Sequence, residues 1–376
     1  MTTAAPLQRL SELGQSVWID YLSRDLIDSG ELARLIREDS VVGITSNPTI
    51  FQRALAQGDA YDTQLRELMP SGLGPKDLFL ALACTDVATA CDVLRPVWER
   101  SGGRDGYVSI EVDPNIAYNT AAQVAEAARL HETIARPNAY VKIPATRAGV
   151  AAIEDSIAAG RSINVTLIFS LDRYVEVARA YLKGLVRLRA AGGDVATVRS
   201  VASFFVSRVD TETDRRLDAL GAPRELKGKL GIANARLAYA RYREIFSAQN
   251  PSWRELAAAG ARPQRCLWAS TSTKNPEYRD VLYVEELIGP ETVNTMPEET
   301  LRAFAEHGVA APTLERGLAA AQLLRERLAG AGVDYDDVVG TLEAEGIEKF
   351  VASFADLLAG LDAKTSALGA TVGARR

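Results

Sequence analysis

Ala139-Tyr-Val-Lys-Ile-Pro-Ala-Thr146, an amphipathic stretch over 149–159, and Ser162-Ile-Asn-Val-Thr-Leu-Ile-Phe169 follow one another near the middle of the chain. The outer stretches are short, apolar and rich in β-branched residues, which reads as strand. The inner one repeats apolar residues at three and four, which reads as helix. Strand, helix and strand in that order are the unit of a parallel sheet. Side chains alternate faces along a strand, so Tyr140, Lys142 and Pro144 share one face and Val141 and Ile143 the other. On the second strand Ser162, Asn164 and Thr166 oppose Ile163, Val165, Leu167 and Phe169. An antiparallel sheet with one solvated face has the same alternation. The strand-helix rhythm favours a sheet wrapped by helices, with the polar face turned inward.

The rhythm continues in both directions. Candidate strands fall at 17–20, 41–46, 107–113, 140–144, 162–169, 200–207, 266–270 and 292–295. Eight parallel strands can close on themselves, so the expected fold class is α/β, a single (β/α)8 TIM barrel with additional helices, and 1–376 is expected to form one domain. Thr120 to Ile134 and Leu171 to Ala190 read as helices between strands, and Asn47-Pro48 as a helix start, with Asn as N-cap and Pro at the first helical position. The intervals 54–106 and 210–265 are too long for a minimal unit and are expected to hold extra helices laid over the barrel. Residues 298–368 read as a C-terminal helical extension with a break near Gly330, and 369–376 as a frayed tail.

Composition sets limits on function. With 376 residues, 47% hydrophobic and 24% charged, the chain can bury a sizeable core. No charged segment followed by an apolar core opens the sequence, and no apolar run approaches the ~20 residues of a spanning helix. A cytoplasmic protein with no membrane partner is therefore expected. The net charge of −6 argues against a general nucleic-acid binder but not against small phosphorylated ligands, which need only one or two local cations and a few donors. Cys84, Cys91 and Cys266 form no metal-spaced pair and are expected as buried thiols in a reducing compartment. His131 and His307 sit in no metal or triad arrangement, so no metal or cofactor is expected, and chemistry falls to Lys, Asp, Glu and hydroxyl groups.

Within that frame Lys142 is the anomaly. An ammonium taken out of water is costly, and burial favours the neutral amine, the form that attacks a ketone. At a reference pKa of ~10.4 about one lysine in two thousand is neutral at pH 7. The alternative is an edge-strand lysine facing solvent, where lysines guard against aggregation. Glu111 shares a face with Asp113 on the neighbouring strand and would serve either as an ion-pair partner or as an acid and base. Asp20 adds a carboxylate at the end of the first strand, on the face of Trp18, unless it is only a turn residue. Lys142, Glu111, Asp20 and Thr166, all near strand ends, together specify far more than any one of them. Ser203 and Arg208, then Ser270 and Lys274, gather at the ends of later strands, where barrels commonly bind phosphate. Alone, Arg208 reads as a surface salt-bridge partner. Ser203 and Arg208 have opposite parity, so they share a site only if the strand ends or bends between them.

These residues resemble the transaldolase family. The resemblance rests on Gly43-Ile-Thr-Ser-Asn-Pro-Thr-Ile50, Ser109-Ile-Glu-Val-Asp113, Tyr140-Val-Lys-Ile-Pro-Ala145, Asn164-Val-Thr-Leu-Ile-Phe-Ser170 and Val293-Asn-Thr-Met-Pro297, which span nearly the whole barrel. The length and helical extension resemble the longer bacterial members. The resemblance implies a class I, Schiff-base enzyme of the pentose phosphate pathway with small-molecule sugar phosphates as partners. It implies Lys142 as nucleophile, Glu111 as acid and base through a water held by Thr166, and Asp20 as the group that takes the C4 hydroxyl proton. Asn47 and Asn164 match positions that hold the sugar, and Ser203, Arg208 and Ser270 match the phosphate end. The better-known branch has an arginine two residues after the serine matching Ser270; here that position is Ser272, and the role passes to Lys274. Phe205 stands where the related fructose 6-phosphate aldolases have a tyrosine.

The expected reaction is therefore sedoheptulose 7-phosphate with glyceraldehyde 3-phosphate giving erythrose 4-phosphate and fructose 6-phosphate. The competing expectations are a fructose 6-phosphate aldolase, which releases free dihydroxyacetone, and a non-catalytic phosphosugar-binding relative. Oligomeric state is not legible in the sequence.

Overall fold

The computed structural model describes residues 5–56 and 58–373. Its centre is a closed barrel of eight parallel strands in sequential order: β1 Gln15–Ile19, β2 Val41–Ile44, β3 Tyr107–Glu111, β4 Ala139–Pro144, β5 Ile163–Ile168, β6 Ser200–Phe205, β7 Arg265–Ala269 and β8 Thr292–Met296. All eight expected strands are present, and the edges differ where local chemistry ends them. β3 stops at Glu111, and Asp113 turns away to cap a short 3-10 turn, accepting from the Asn115 amide at 2.8 Å. The face that Glu111 and Asp113 were expected to share therefore ends at Glu111. β6 stops at Phe205 because Ser207 is already the first residue of the helix Ser207–Ala219.

β5 breaks the expected alternation. Leu167 has φ +58°, and the pairing with β6 shifts between Val165 and Ile168. One extra residue re-aims everything after it. Phe169, expected on the outer face, instead packs 5.3 Å from the Phe205 ring, while a Cβ on Gly346 would meet Leu167 at 3.2 Å and Phe169 at 3.5 Å.

The lower barrel is filled by aromatic rings. Tyr107 and Tyr140 stack with centroids 4.2 Å apart, and Trp18 lies 6.2 Å from Tyr140. The Trp18 ring fits only because β2 carries Gly43, where a Cβ would fall 2.3 Å from it. Below, Arg265 pairs with Asp105 at 2.8 Å and donates to Ser16. The bottom is thus filled by rings and a closed ion pair, and open space with polar walls is left toward the C-terminal ends of the strands, the usual place for a barrel's chemistry.

Both long intervals hold extra helices, as expected, beside the barrel's own outer helix. Between β2 and β3, the 26-residue helix Pro75–Arg100 packs on β2, β3 and β4 and is the barrel's own outer helix; only Pro48–Ala56, Asp62–Leu68 and a 3-10 turn are additions. Between β6 and β7, Leu230–Ile245 takes the corresponding place against β7. Ser207–Ala219 and Pro251–Ala258 are the additions in that interval.

Beyond β8, helices Glu298–His307 and Leu318–Gly330 precede a 39-residue helix, Tyr335–Gly373. The break at Gly330 lies where expected. The final helix runs through Gly373, past the expected end at 368; the rest of the expected tail, 374–376, lies outside the described residues. It packs on Pro48–Ala56, Pro75–Arg100 and Ser207–Ala219. Thr49 donates to Ser353 at 2.9 Å, and Lys364 pairs with Asp62 at 3.0 Å.

Candidate active site

β4 is flanked by β3 and β5, so Lys142 cannot be an edge-strand guard; it is 5% exposed. Its Cα faces Glu111 on one side and Asn164 on the other. Nζ donates to the Ser46 carbonyl at 2.9 Å and to Glu111 Oε2 at 3.2 Å. Burial pushes the Glu111 carboxyl above its ordinary value, and the Lys142 charge works against that. A buried pair of this kind adds little net stability, because desolvation offsets attraction. It does fix the lysine in one place beside a group able to exchange protons with it.

Lys142 opens into a cavity of about 190 Å³ at the C-terminal ends of the strands. Asp20 and Thr166 share its wall with Asn47. Asp20 accepts from Thr45 Oγ1 at 2.7 Å, and burial raises its carboxyl against the opposing pull of Lys142, Thr45 and Arg208. Thr166 Oγ1 is buried and has no hydrogen-bond partner among the described residues. Asn47 caps the helix Pro48–Ala56, its Oδ1 accepting from the Ile50 amide at 3.1 Å. Wider clefts exist, including a groove of about 770 Å³ beside Leu171 and Tyr335, but they lie on the outer surface away from the lysine.

The cationic end of the cavity is formed by Arg208 and Lys274 with Ser203, Ser270 and Ser272. The parity conflict between Ser203 and Arg208 disappears because the strand ends at Phe205 and the helix brings Arg208 back over the mouth. Arg208 is not a surface salt-bridge residue: its guanidinium lies 5.2 Å over the Phe205 ring, and burial lowers its pKa, opposed by Asp20, Glu111 and Glu345. Lys274 Nζ donates to Ser272 Oγ at 2.7 Å, so both candidates for the replaced arginine reach one site. Ser270 holds φ +55°, with its hydroxyl 2.9 Å from that of Ser207. A non-glycine residue in that region is strained, and such strain gathers at functional sites.

Two expected site residues lie just behind the cavity wall. Asn164 does not reach the cavity wall; its amide donates to Ser109 at 3.0 Å and accepts from Ser203 at 2.7 Å, one layer deeper. Glu111 likewise touches Lys142 rather than the open space. Thr45, Thr295 and Phe350 line the cavity and were not singled out. Strand alternation after Gly43 placed Thr45 inward and was available. Phe350 comes from the C-terminal helix, and no pattern in the sequence connects it to β4.

His131 lies 3.0 Å from the Ser162 carbonyl with its pKa lowered by burial, and His307 pairs with Asp280 at 2.9 Å. Neither lines the cavity. All three cysteines are buried and free. Among the described residues no group of three or more His, Cys, Asp or Glu side chains is placed to hold a metal ion.

A family model described as transaldolase/fructose-6-phosphate aldolase matches residues 17–361, from the second residue after Gln15 in β1 into the C-terminal helix. The chain belongs to that family. Among curated members of the transaldolase/fructose-6-phosphate aldolase family, the chain is 53% identical to transaldolase 1 of Streptomyces coelicolor over 95% of this chain and 94% of that one. It is 52% identical to the transaldolase of Frankia alni over 94% and 95%, and 51% identical to that of Mycobacterium tuberculosis over 95% and 97%. The family match thus takes in both the strands that carry Lys142 and Glu111 and the helix that carries Phe350.

Proposed function

We propose that this protein is a transaldolase, which moves a dihydroxyacetone unit from a ketose phosphate to an aldose phosphate through a Schiff base on Lys142. One observation carries the residue assignment: Lys142 is buried against Glu111 in a cavity whose mouth holds two cations. Glu111 takes the proton from the ammonium, and Nζ attacks the C2 carbonyl of sedoheptulose 7-phosphate or fructose 6-phosphate. Glu111 returns the proton through a water held by Thr166, and loss of water from the carbinolamine gives an iminium. Asp20 removes the C4 hydroxyl proton, the C3–C4 bond breaks into the iminium, and the aldose phosphate leaves. The enamine then adds to the carbonyl carbon of the acceptor, glyceraldehyde 3-phosphate or erythrose 4-phosphate, and the steps run in reverse.

Burial suits both carboxyls to this work, since each is raised toward the pH at which it must gain and lose a proton. Asn47 holds the sugar, and Asn164, whose amide is engaged with Ser109 and Ser203, positions the strands around it. Arg208, Lys274, Ser203 and Ser270 take the phosphate. The apolar rings of Phe205 and Phe350 limit water at the enamine, which favours transfer over release. The pentose phosphate pathway and the cytoplasm are the setting that fits these substrates. Among the described residues no helix is long and apolar enough to cross a membrane.

Borohydride added with fructose 6-phosphate should leave a mass increment on Lys142; saturable binding without any trapped adduct would leave only a phosphosugar-binding role. Incubation with and without erythrose 4-phosphate separates transferase from lyase. Equal release of dihydroxyacetone in both would favour a fructose 6-phosphate aldolase.

A further inference from the structure

Asp210 and Asp214 stand four residues apart on the helix Ser207–Ala219, shortly after Arg208, and helical residues at that spacing lie on one face. Asp210 accepts from the Gly231 amide at 2.6 Å through Oδ1 and from the Tyr283 hydroxyl at 2.9 Å through Oδ2. Asp214 repeats the pattern, accepting from the Gly228 amide at 2.9 Å and the Tyr278 hydroxyl at 2.5 Å. The amides belong to the segment that begins the helix Leu230–Ile245, and the tyrosines to the connection from β7 to β8. Two carboxylates thus each tie the same three segments together.

The fit requires glycine at both amides. A Cβ on Gly228, which has φ +66°, would stand 2.7 Å from the Tyr278 ring, and one on Gly231 would stand 2.6 Å from the Val206 carbonyl. Tyr283 is 1% exposed and Asp210 1%. Burial pushes the Asp210 carboxyl up to about 7, and hydrogen bonds from Gly231 and Tyr283 work against it. An apolar contact would hold these segments together at less cost than buried carboxylates. Directional bonds do something apolar contact does not, which is to fix a distance. That distance runs from Arg208 on the helix to Lys274 in the loop after β7, which precedes a turn closed by the Tyr278 amide donating to the Asn275 carbonyl at 3.1 Å. None of the four clamp residues lines the cavity.

We propose that Asp214 and Tyr278, with the deeper pair Asp210 and Tyr283, are positioning residues for anion recognition: they lock the helix carrying Arg208 to the loop carrying Ser272 and Lys274, and so set the spacing of the two cations that receive the sugar phosphate. This rests on the phosphate role given to Arg208 and Lys274 above.

Tyr278→Phe removes one hydroxyl from a partly exposed side chain and keeps the ring over Gly228. It should raise the KM for fructose 6-phosphate and the inhibition constant of inorganic phosphate by about tenfold each, the equivalent of ~1.4 kcal/mol, with kcat within about twofold of the parent. Asp214→Asn should move the same constants in the same direction. Borohydride trapping of unphosphorylated dihydroxyacetone on Lys142 should be unchanged, since it needs no phosphate contact. Unaltered KM and phosphate inhibition in both variants overturn the inference, as does a parallel loss of kcat and trapping, which marks a merely structural role. Arg208→Gln separates the levels. If it raises both constants while Tyr278→Phe does not, the clamp fails and the phosphate site stands. If Arg208→Gln changes neither constant, the phosphate reading fails and the clamp with it.

Discussion

Glu111 lies 3.2 Å from Lys142 Nζ, and the pH dependence of the enzyme should carry the mark of that carboxyl. The mechanism needs Glu111 ionised to accept the first proton, and its carboxyl is raised by burial. The acid limb of kcat/KM against pH should therefore lie above the ordinary carboxylate range. In Glu111→Gln that limb should vanish and turnover fall by about 10²–10⁴, the usual contribution of a general acid-base group. A pH profile and rate equal to the parent's would reduce Glu111 to an ion-pair partner. Lys142→Ala should bind fructose 6-phosphate but form no borohydride adduct and show no turnover; substantial residual transfer would reject the Schiff base. Asp210 offers a separate test on stability. Its folded pKa of about 7 lies above the unfolded value near 3.8, so the folded state holds the extra proton between them. Its contribution is fully present below the unfolded pKa and declines as pH rises through about 7, on the order of 1 kcal/mol per pH unit. Urea unfolding at pH 5 and pH 7.5 should show a smaller loss for Asp210→Asn than for the parent, whose other raised carboxyls are common to both.

Single elements show what the sequence made legible. Every strand of the barrel could be read, because alternation of apolar and polar residues is a local property and survives without knowledge of neighbours. Lys142 and Thr166 stood on strand faces that alternation had already assigned, whereas Arg208 had the wrong parity for Ser203 and comes to the same cavity only because β6 ends at Phe205. Phe169 was misplaced because a positive φ at Leu167 leaves no trace in composition; leucine is no signal for a bulge. Asn164 was placed on the inward face, but its depth could not be read, since depth along a barrel depends on register between strands, which one sequence does not print. Gly43 makes a prediction at this scale. Gly43→Ala should press a methyl group into the Trp18 ring and destabilise the barrel by about 1–3 kcal/mol, seen as a lower urea midpoint. An unchanged midpoint would mean that Trp18 can move aside.

For the molecule as a whole, the decisive contact is the one between its two ends. Phe350, on the helix Tyr335–Gly373, closes a cavity built from strands that precede it by up to several hundred residues. Thr49–Ser353 and Lys364–Asp62 hold that helix independently of the phenyl ring. Phe350→Ala should therefore leave the helix docked and admit water to the enamine. Release of dihydroxyacetone in the absence of an acceptor should rise relative to transfer, and a constant ratio would remove Phe350 from that role. Long-range closure of this sort is the part of the site that local pattern misses.

The same contact has a consequence for biosynthesis. β8 ends at Met296, and the closing helix spans Tyr335–Gly373, so at roughly 5–20 residues per second it follows the barrel out of the ribosome by several seconds or more. During that interval a nascent chain carries Lys142 beneath a mouth that Phe350 has yet to cover. The order of synthesis thus completes the barrel before its cover.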